Sequence, residues 1–257
     1  TQDIFRPIEL TDSEMKFYNE QGFLPIPGLI RSEAVAPICE EVYEALEANG
    51  VSRDSLIAAS SAADRLRQCS QYLKDSYLDR LINGETTLRI ASQLIGGPAH
   101  LYLPFTAVKA GGGGGTFDYH QDNNYTKHEP AVGSINIWVA LVDMTPDNGC
   151  LQIIPESHKR GQLPSRPSEH GDNHQRLDID ESELMPIRMR AGDAVAFTRW
   201  TVHGSGPNNT DEPRLGYALQ YYREDVKFLD PKDQQWKKLI DVPRHNVKPL
   251  DKLGEQA

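Results

Sequence analysis

The sequence predicts a mainly β protein, an antiparallel sandwich, jelly roll or barrel carrying helices on its outside. Three observations lead there. From about residue 97 apolar residues alternate with period two in several short runs, Gly, Pro, Asn and Asp clusters separate those runs, and no helical period intervenes between them. A chain of 257 residues that is 38% hydrophobic and 25% charged can bury a sizeable core. Single β domains often reach this length, so one domain over 1–257 is expected.

Thr11 or Asp12 caps a helix over SEMKFYNEQ, Gly22 ends it, and FLPIPGLI reads as a short strand. Ser32 opens a second helix that runs to about Asn49 and Gly50. Between 64 and 95 the residues Leu66, Leu73, Tyr77, Leu78, Leu81 and Ile82 recur at helical spacing, punctuated by NGE at 83–85. Residues 1–95 are therefore a helical front. The core, about 96–225, places strands at AHLYLPFTAVKA, GSINIWVALVDM, CLQIIP, AVAFTRW and GYALQYYRE. Residues 161–183 are polar without a period, a long loop of the kind that is usually functional or mobile. The tail, 226–257, is polar, and the chain has no internal repeat.

A net charge of −10 disfavours nucleic acid and anionic membranes, which need a basic footprint, and leaves a small molecule as the expected partner of a monomer or small homo-oligomer. Cys39, Cys69 and Cys150 lack metal-ligand spacing and fit a reducing, cytoplasmic setting. No apolar run approaches the roughly 18 residues that cross a bilayer. The polar start TQDIFRPIEL lacks the blocks of a signal peptide.

The chemistry gathers around YHQD. On an extended segment residues two apart point the same way, so His120 and Asp122 can meet at one point. His203, directly after the apolar AVAFTRW run, is the expected third ligand, delivered by a neighbouring strand. Two His and one carboxylate on one face suit Fe(II) handling oxygen and a chelating co-substrate. Arg214 follows the turn-forming PNNTDEP, so a hairpin would set it beside the strand of His203, its planar fork matched to a carboxylate. Gly216, Ala218 and Gln220 share its face and leave room for a small acid, whereas Leu215, Leu219 and Tyr221 point away. Ser205 shares a face with His203. In SINIWVALV, Ile135, Ile137, Val139 and Leu141 form one face, and Ser134, Asn136, Trp138 and Ala140 a mixed face that reads as a cavity wall. Asn123, Asn124, Gln121 and Tyr125 are substrate-side candidates by proximity to the triad.

Over roughly 17–225 the chain resembles the phytanoyl-CoA dioxygenase-like group of iron(II)- and 2-oxoglutarate-dependent oxygenases. The resemblance rests on NEQGFLPIPGLI, YHQD, NGCLQIIPESHKRG, AGDAVAF and HGSGPNNTDEPR. It implies a double-stranded β-helix (jelly roll, cupin-like), with His120, Asp122 and His203 as iron ligands and Arg214, Ser205 and Trp138 as 2-oxoglutarate contacts. Tyr102 and Lys109 fall at further co-substrate positions. The implied reaction oxidises an unactivated C–H bond with O2 and yields succinate and CO2. Asp122 stands where halogenating relatives carry a small residue, and Gln220 where nucleic-acid demethylases carry an arginine. The rival readings are a non-oxygenase metal-binding cupin and a catalytically inactive binding module of the same fold.

Simpler readings attach to the remaining features. His170-Gly171-Asp172 repeats the ligand spacing but sits in the unpatterned loop. His158 is expected to brace a turn by hydrogen bonding. Arg214 could pair with Asp211 or Glu212, and Trp138 could be core filler. The glycine run at 111–115 reads as a lid hinge or a flexible linker.

Overall fold

The computed structural model describes residues 3–57, 66–169, 174–242 and 247–254. The second His-x-Asp triplet, at 170–172, lies outside them. Four helices come from the front of the chain: α1 (Asp12–Gln21), α2 (Ser32–Ala48), α3 (Tyr77–Asn83) and α4 (Glu85–Ile95). Thr11 closes a capping box with Glu14, satisfying orphan N–H groups at the start of α1, and Gly22 in the left-handed region ends it. The segment before α3 departs from the helical expectation. Leu66–Arg67 pairs with the long strand Ala99–Lys109, and Cys69 N–H donates to Thr106 Oγ1, so strand pairing at the sheet edge overrides the local helical spacing.

Two antiparallel sheets form the β core. The larger runs, in spatial order, Phe23–Ile26, Ala194–Thr198, Ser134–Ala140, Arg214–Arg223, Ala99–Lys109 and Leu66–Arg67. The smaller runs Met185–Pro186, Gln152–Ile153, His203–Ser205 and Phe117–His120. Period-two alternation sorts the large sheet's side chains onto two faces. Ile135, Ile137, Val139, Leu215, Leu219 and Tyr221 pack in one cluster with Ile38, Val42, Leu81 and Ile90 of the helices. Trp138, Ala140, Ala218 and Phe197 face inward and share a second cluster with Ile153 of the small sheet. The mainly β fold with helices outside and the face assignments of both central strands are as the sequence predicts.

Three further segments differ from expectation. The glycine run is pinned: Gly111, Gly112 and Gly113 donate to the carbonyls of Leu56, Thr210 and Asn208. A Cβ on Gly114 would lie 1.9 Å from the Ala110 carbonyl oxygen, so close backbone approach requires glycine there. Residues 206–213 dock on this run through Asn208 and do not make a simple hairpin, so Arg214 enters the large sheet while His203 stays in the small one. The tail folds back, Lys227–Leu229 pairing with Trp236–Lys238 and with His128–Glu129, a contact hidden in the sequence by its charged residues. His158 does form a brace by hydrogen bonding, but to α1 rather than within its own turn, its ring bonded to the Asn19 carbonyl at 3.0 Å. No helix among the described residues is long and apolar enough to cross a membrane.

Candidate metal and co-substrate site

His120 closes the Phe117–His120 strand and His203 opens its neighbour, and the two are direct cross-strand partners. Opposed residues on adjacent antiparallel strands bring their side chains together. Here the rings lie 4.3 Å apart, centre to centre. Asp122 sits two residues past the strand, at the start of a short helical turn, Asp122–Asn124. It still converges, with Oδ1 3.8 Å from His120 Nε2 and 3.6 Å from His203 Nε2. All three residues are buried, and one ligand atom of each lies within 4.8 Å of the others.

The histidine tautomers follow from the neighbours. Each Nδ1 lies against a backbone carbonyl, His120 on Asp118 at 2.7 Å and His203 on Thr201 at 2.9 Å. A carbonyl only accepts, so Nδ1 carries the proton and the Nε2 lone pair is left for a cation. Burial, followed by the charge of His120, pushes His203 down to about 4, keeping its imidazole neutral near neutral pH. Burial pushes the Asp122 carboxyl up, but the neighbouring His203, His120 and Arg199 together outweigh it and hold the group below the usual carboxylate range. Two imidazoles, each with its Nε2 facing the carboxylate, and one carboxylate fit a divalent metal of the Fe(II) type.

The triad opens into a cavity of 410 Å3 between the sheets. Arg214 forms one end. It is 2% exposed, its Nη1 and Nη2 donate to the carbonyls of Gly149 (2.8 Å) and Ala107 (3.0 Å), and its Nε has no partner. Neither Asp211 nor Glu212 pairs with it among the described contacts, and burial lowers its pKa to about 9. A buried guanidinium held only by neutral oxygens favours an incoming anion. Trp138 lies 5.1 Å below it, and Gly216 makes room for the indole, since a Cβ there would sit 2.3 Å from Trp138 Cζ2. Ser205 and Tyr102 also line the cavity.

Lys109 does not line it. Its Nζ donates to the Ser205 and Gly206 carbonyls, and burial, then Arg214, drives its pKa well down. Gln121, Asn123 and Asn124 are likewise off the wall. Gln121 Nε2 donates to the Gly161 and Trp200 carbonyls, Asn124 Nδ2 to Leu163 O, and Asn123 Nδ2 to Gln162 Oε1. Sequence proximity to the triad placed them near it, but the short turn after Asp122 points them at residues 161–163. Of that group Tyr125 alone reaches the cavity, edge-on to His120 at 5.2 Å.

Sequence reasoning placed Asn136 and Gln220 on the cavity face but missed their contacts with Asp122, and it missed Arg199 and His174 altogether. Arg199 Nη2 donates to the carbonyls of Asp122 and Thr126, each at 2.9 Å, clamping the turn that carries Asp122. Asn136 and Gln220 both donate to Asp122 Oδ2. His174, from the long loop, stacks on Phe117 with centres 4.5 Å apart at the cavity wall. The available signal was polar residues inside otherwise apolar strands.

The family model for phytanoyl-CoA dioxygenase (PhyH) matches residues 18–216. The chain is 27% identical to an L-proline trans-4-hydroxylase of Streptomyces griseoviridis, over 93% of this chain and 91% of that one. It is 28% identical to a methylphosphonate hydroxylase of Gimesia maris, over 82% and 80%. In structure it is similar to the non-heme alpha-ketoglutarate-dependent carbocyclase SnoK from nogalamycin biosynthesis, with a TM-score of 0.68 at 22% identity over 85% and 86% of the two chains. With the match spanning most of the chain and an imidazole–carboxylate–imidazole set between its sheets, this protein belongs to the phytanoyl-CoA dioxygenase family of iron(II)- and 2-oxoglutarate-dependent dioxygenases.

Proposed function

We propose that His120, Asp122 and His203 hold the iron, that Arg214, with Trp138 and Ser205 beside it, holds the far carboxylate of 2-oxoglutarate, and that the substrate is a small polar molecule of no net charge. The observation that carries this reading is the placement of Arg214. It is a buried cation lining the same cavity as the triad from the other sheet, without a carboxylate of its own. A metal-binding cupin of another class has no use for that charge.

Bound iron, with 2-oxoglutarate and O2, supplies oxidative decarboxylation to succinate and CO2 coupled to oxidation of a substrate C–H bond. The protein's residues do the rest. The carbonyls of Asp118 and Thr201 keep both Nε2 atoms unprotonated and aimed inward. Arg214 takes a carboxylate at the closed end, and the sheets around it exclude bulk water. At the other end Gln68, Ser70, Tyr102 and Thr126 line the wall with uncharged hydrogen-bonding groups. Arg199, the cation there, already has a carboxylate beside it: it bonds the Asp122 and Thr126 carbonyls and its charge helps hold Asp122 ionised. This lining favours a neutral or zwitterionic substrate over a highly anionic acyl-CoA. Three unpaired cysteines support a reducing, cytoplasmic setting.

The test adds Fe(II) and 2-oxoglutarate to the protein without oxygen and follows the visible charge-transfer absorption of the chelate. Oxygen is then admitted and succinate is counted. A band that needs both components, followed by succinate, is the expected result; its absence in intact protein contradicts the reading.

A further inference from the structure

The central strand Ser134–Ala140 is buried at every position, yet it carries Asn136, a poor strand former. Asn136 is 3% exposed, and its Oδ1 has no hydrogen-bond partner. A buried acceptor without a partner costs stability, and an apolar residue would avoid that cost. Something other than packing therefore keeps the amide. Directly opposite on the next strand stands Gln220, its register partner. Asn136 Nδ2 and Gln220 Nε2 both donate to Asp122 Oδ2, at 3.2 and 3.3 Å. Since a carboxylate oxygen only accepts, these contacts fix both amide orientations and leave Asn136 Oδ1 as the orphan. Asp122 Oδ1, by contrast, faces the two imidazole nitrogens.

We propose that Asn136 and Gln220 are positioning residues for Asp122. The two amides hold one carboxylate oxygen back, so that a single oxygen is presented to the metal. The inference rests on the metal reading above and adds a specific means by which the sheet sets the ligand. Two donors matter because a carboxylate on a short turn pivots about its Cβ–Cγ bond. One hydrogen bond leaves that rotation open, and two from neighbouring strands close it.

Asn136→Leu and Gln220→Met remove the donors, the first keeping the forked skeleton of the amide and the second approximately its length. Each purified variant and the wild type are titrated with Co(II), and the visible d–d spectrum is recorded beside the melting temperature of the metal-free protein. The expected result is about a tenfold or greater loss of Co(II) affinity, an altered d–d spectrum, and a metal-free melting temperature that for Asn136→Leu holds or rises as the orphaned acceptor disappears. A lower melting temperature with unchanged Co(II) affinity and spectrum means the amides merely brace the fold, and overturns the proposal. If Asn136→Leu does not fold, Gln220→Met carries the same expectation at a position that lines the cavity. A wild type that takes up no Co(II) at the triad defeats the metal reading itself, and this proposal with it, whereas tight wild-type binding matched by both variants defeats the proposal alone.

Discussion

The two faces of the central strands Ser134–Ala140 and Arg214–Arg223 divide the work of the molecule. Toward the helices stand Ile135, Ile137, Val139, Leu215 and Leu219, interchangeable in kind and packed with Ile38, Val42 and Ile90. Toward the cavity stand Asn136, Trp138, Arg214 and Gln220, each with a particular partner: a carboxylate oxygen, a guanidinium, backbone carbonyls. Adjacent residues on one strand thus serve stability and chemistry in turn. The cavity face keeps a buried charge and two polar atoms without partners, Arg214 Nε and Asn136 Oδ1, where the helix face has one such atom, the Tyr217 hydroxyl.

Substitutions on the two faces should separate these roles. The largest effect is expected from Asp122→Ala, which removes a proposed ligand: 2-oxoglutarate-dependent succinate formation should fall about 1,000-fold or more, while circular dichroism stays native. Activity within tenfold of wild type would break the contrast. Next, Leu219→Ala on the helix face should cost about 2 to 5 kcal/mol of stability, seen as a lower melting temperature, with succinate formation below that temperature nearly unchanged. A selective loss of turnover would show that the faces are not independent.

Arg214→Met should raise the 2-oxoglutarate concentration for half-maximal turnover by about 100-fold, with Co(II) affinity kept. An unchanged requirement for 2-oxoglutarate would remove Arg214 from the co-substrate end. The smallest effect concerns pH. Burial lowers His203 from 6.5 to about 4 in the fold, so its neutral form contributes stability that is complete above about pH 6.5 and lost as pH falls toward 4. Melting of the metal-free protein should weaken across that window, and less so in His203→Gln. Equal slopes in calorimetry would assign the acid sensitivity to other groups.

Much of this was legible from the chain. Period-two patterning sorted Ile135, Ile137, Val139 and Leu141 from Asn136, Trp138 and Ala140, because strand geometry admits only two directions. The spacing within YHQD, the apolar run before His203 and the lone Arg214 named the residues that meet around the cavity. Legibility faded where a residue's partner lies far away in sequence. Gln121, Asn123 and Asn124 neighbour Asp122 in the chain, yet their amides bind residues 161–163. Lys109 shares the inward parity of Ala107, yet turns to the Ser205 and Gly206 carbonyls. Gln220 carried no sign that it would meet Asp122, 98 positions away.

By itself, then, the sequence determined the strand periods, the helix caps and the set of chemically able side chains, since these depend on residue type and on spacings of a few positions. Tertiary structure decided which of those side chains converge. It put Arg214 across the cavity from His203 rather than beside it, pinned the glycines, and set two amides on Asp122 Oδ2. Those outcomes depend on how two sheets are registered and stacked, and that packing is a sum over distant contacts that no local spacing encodes.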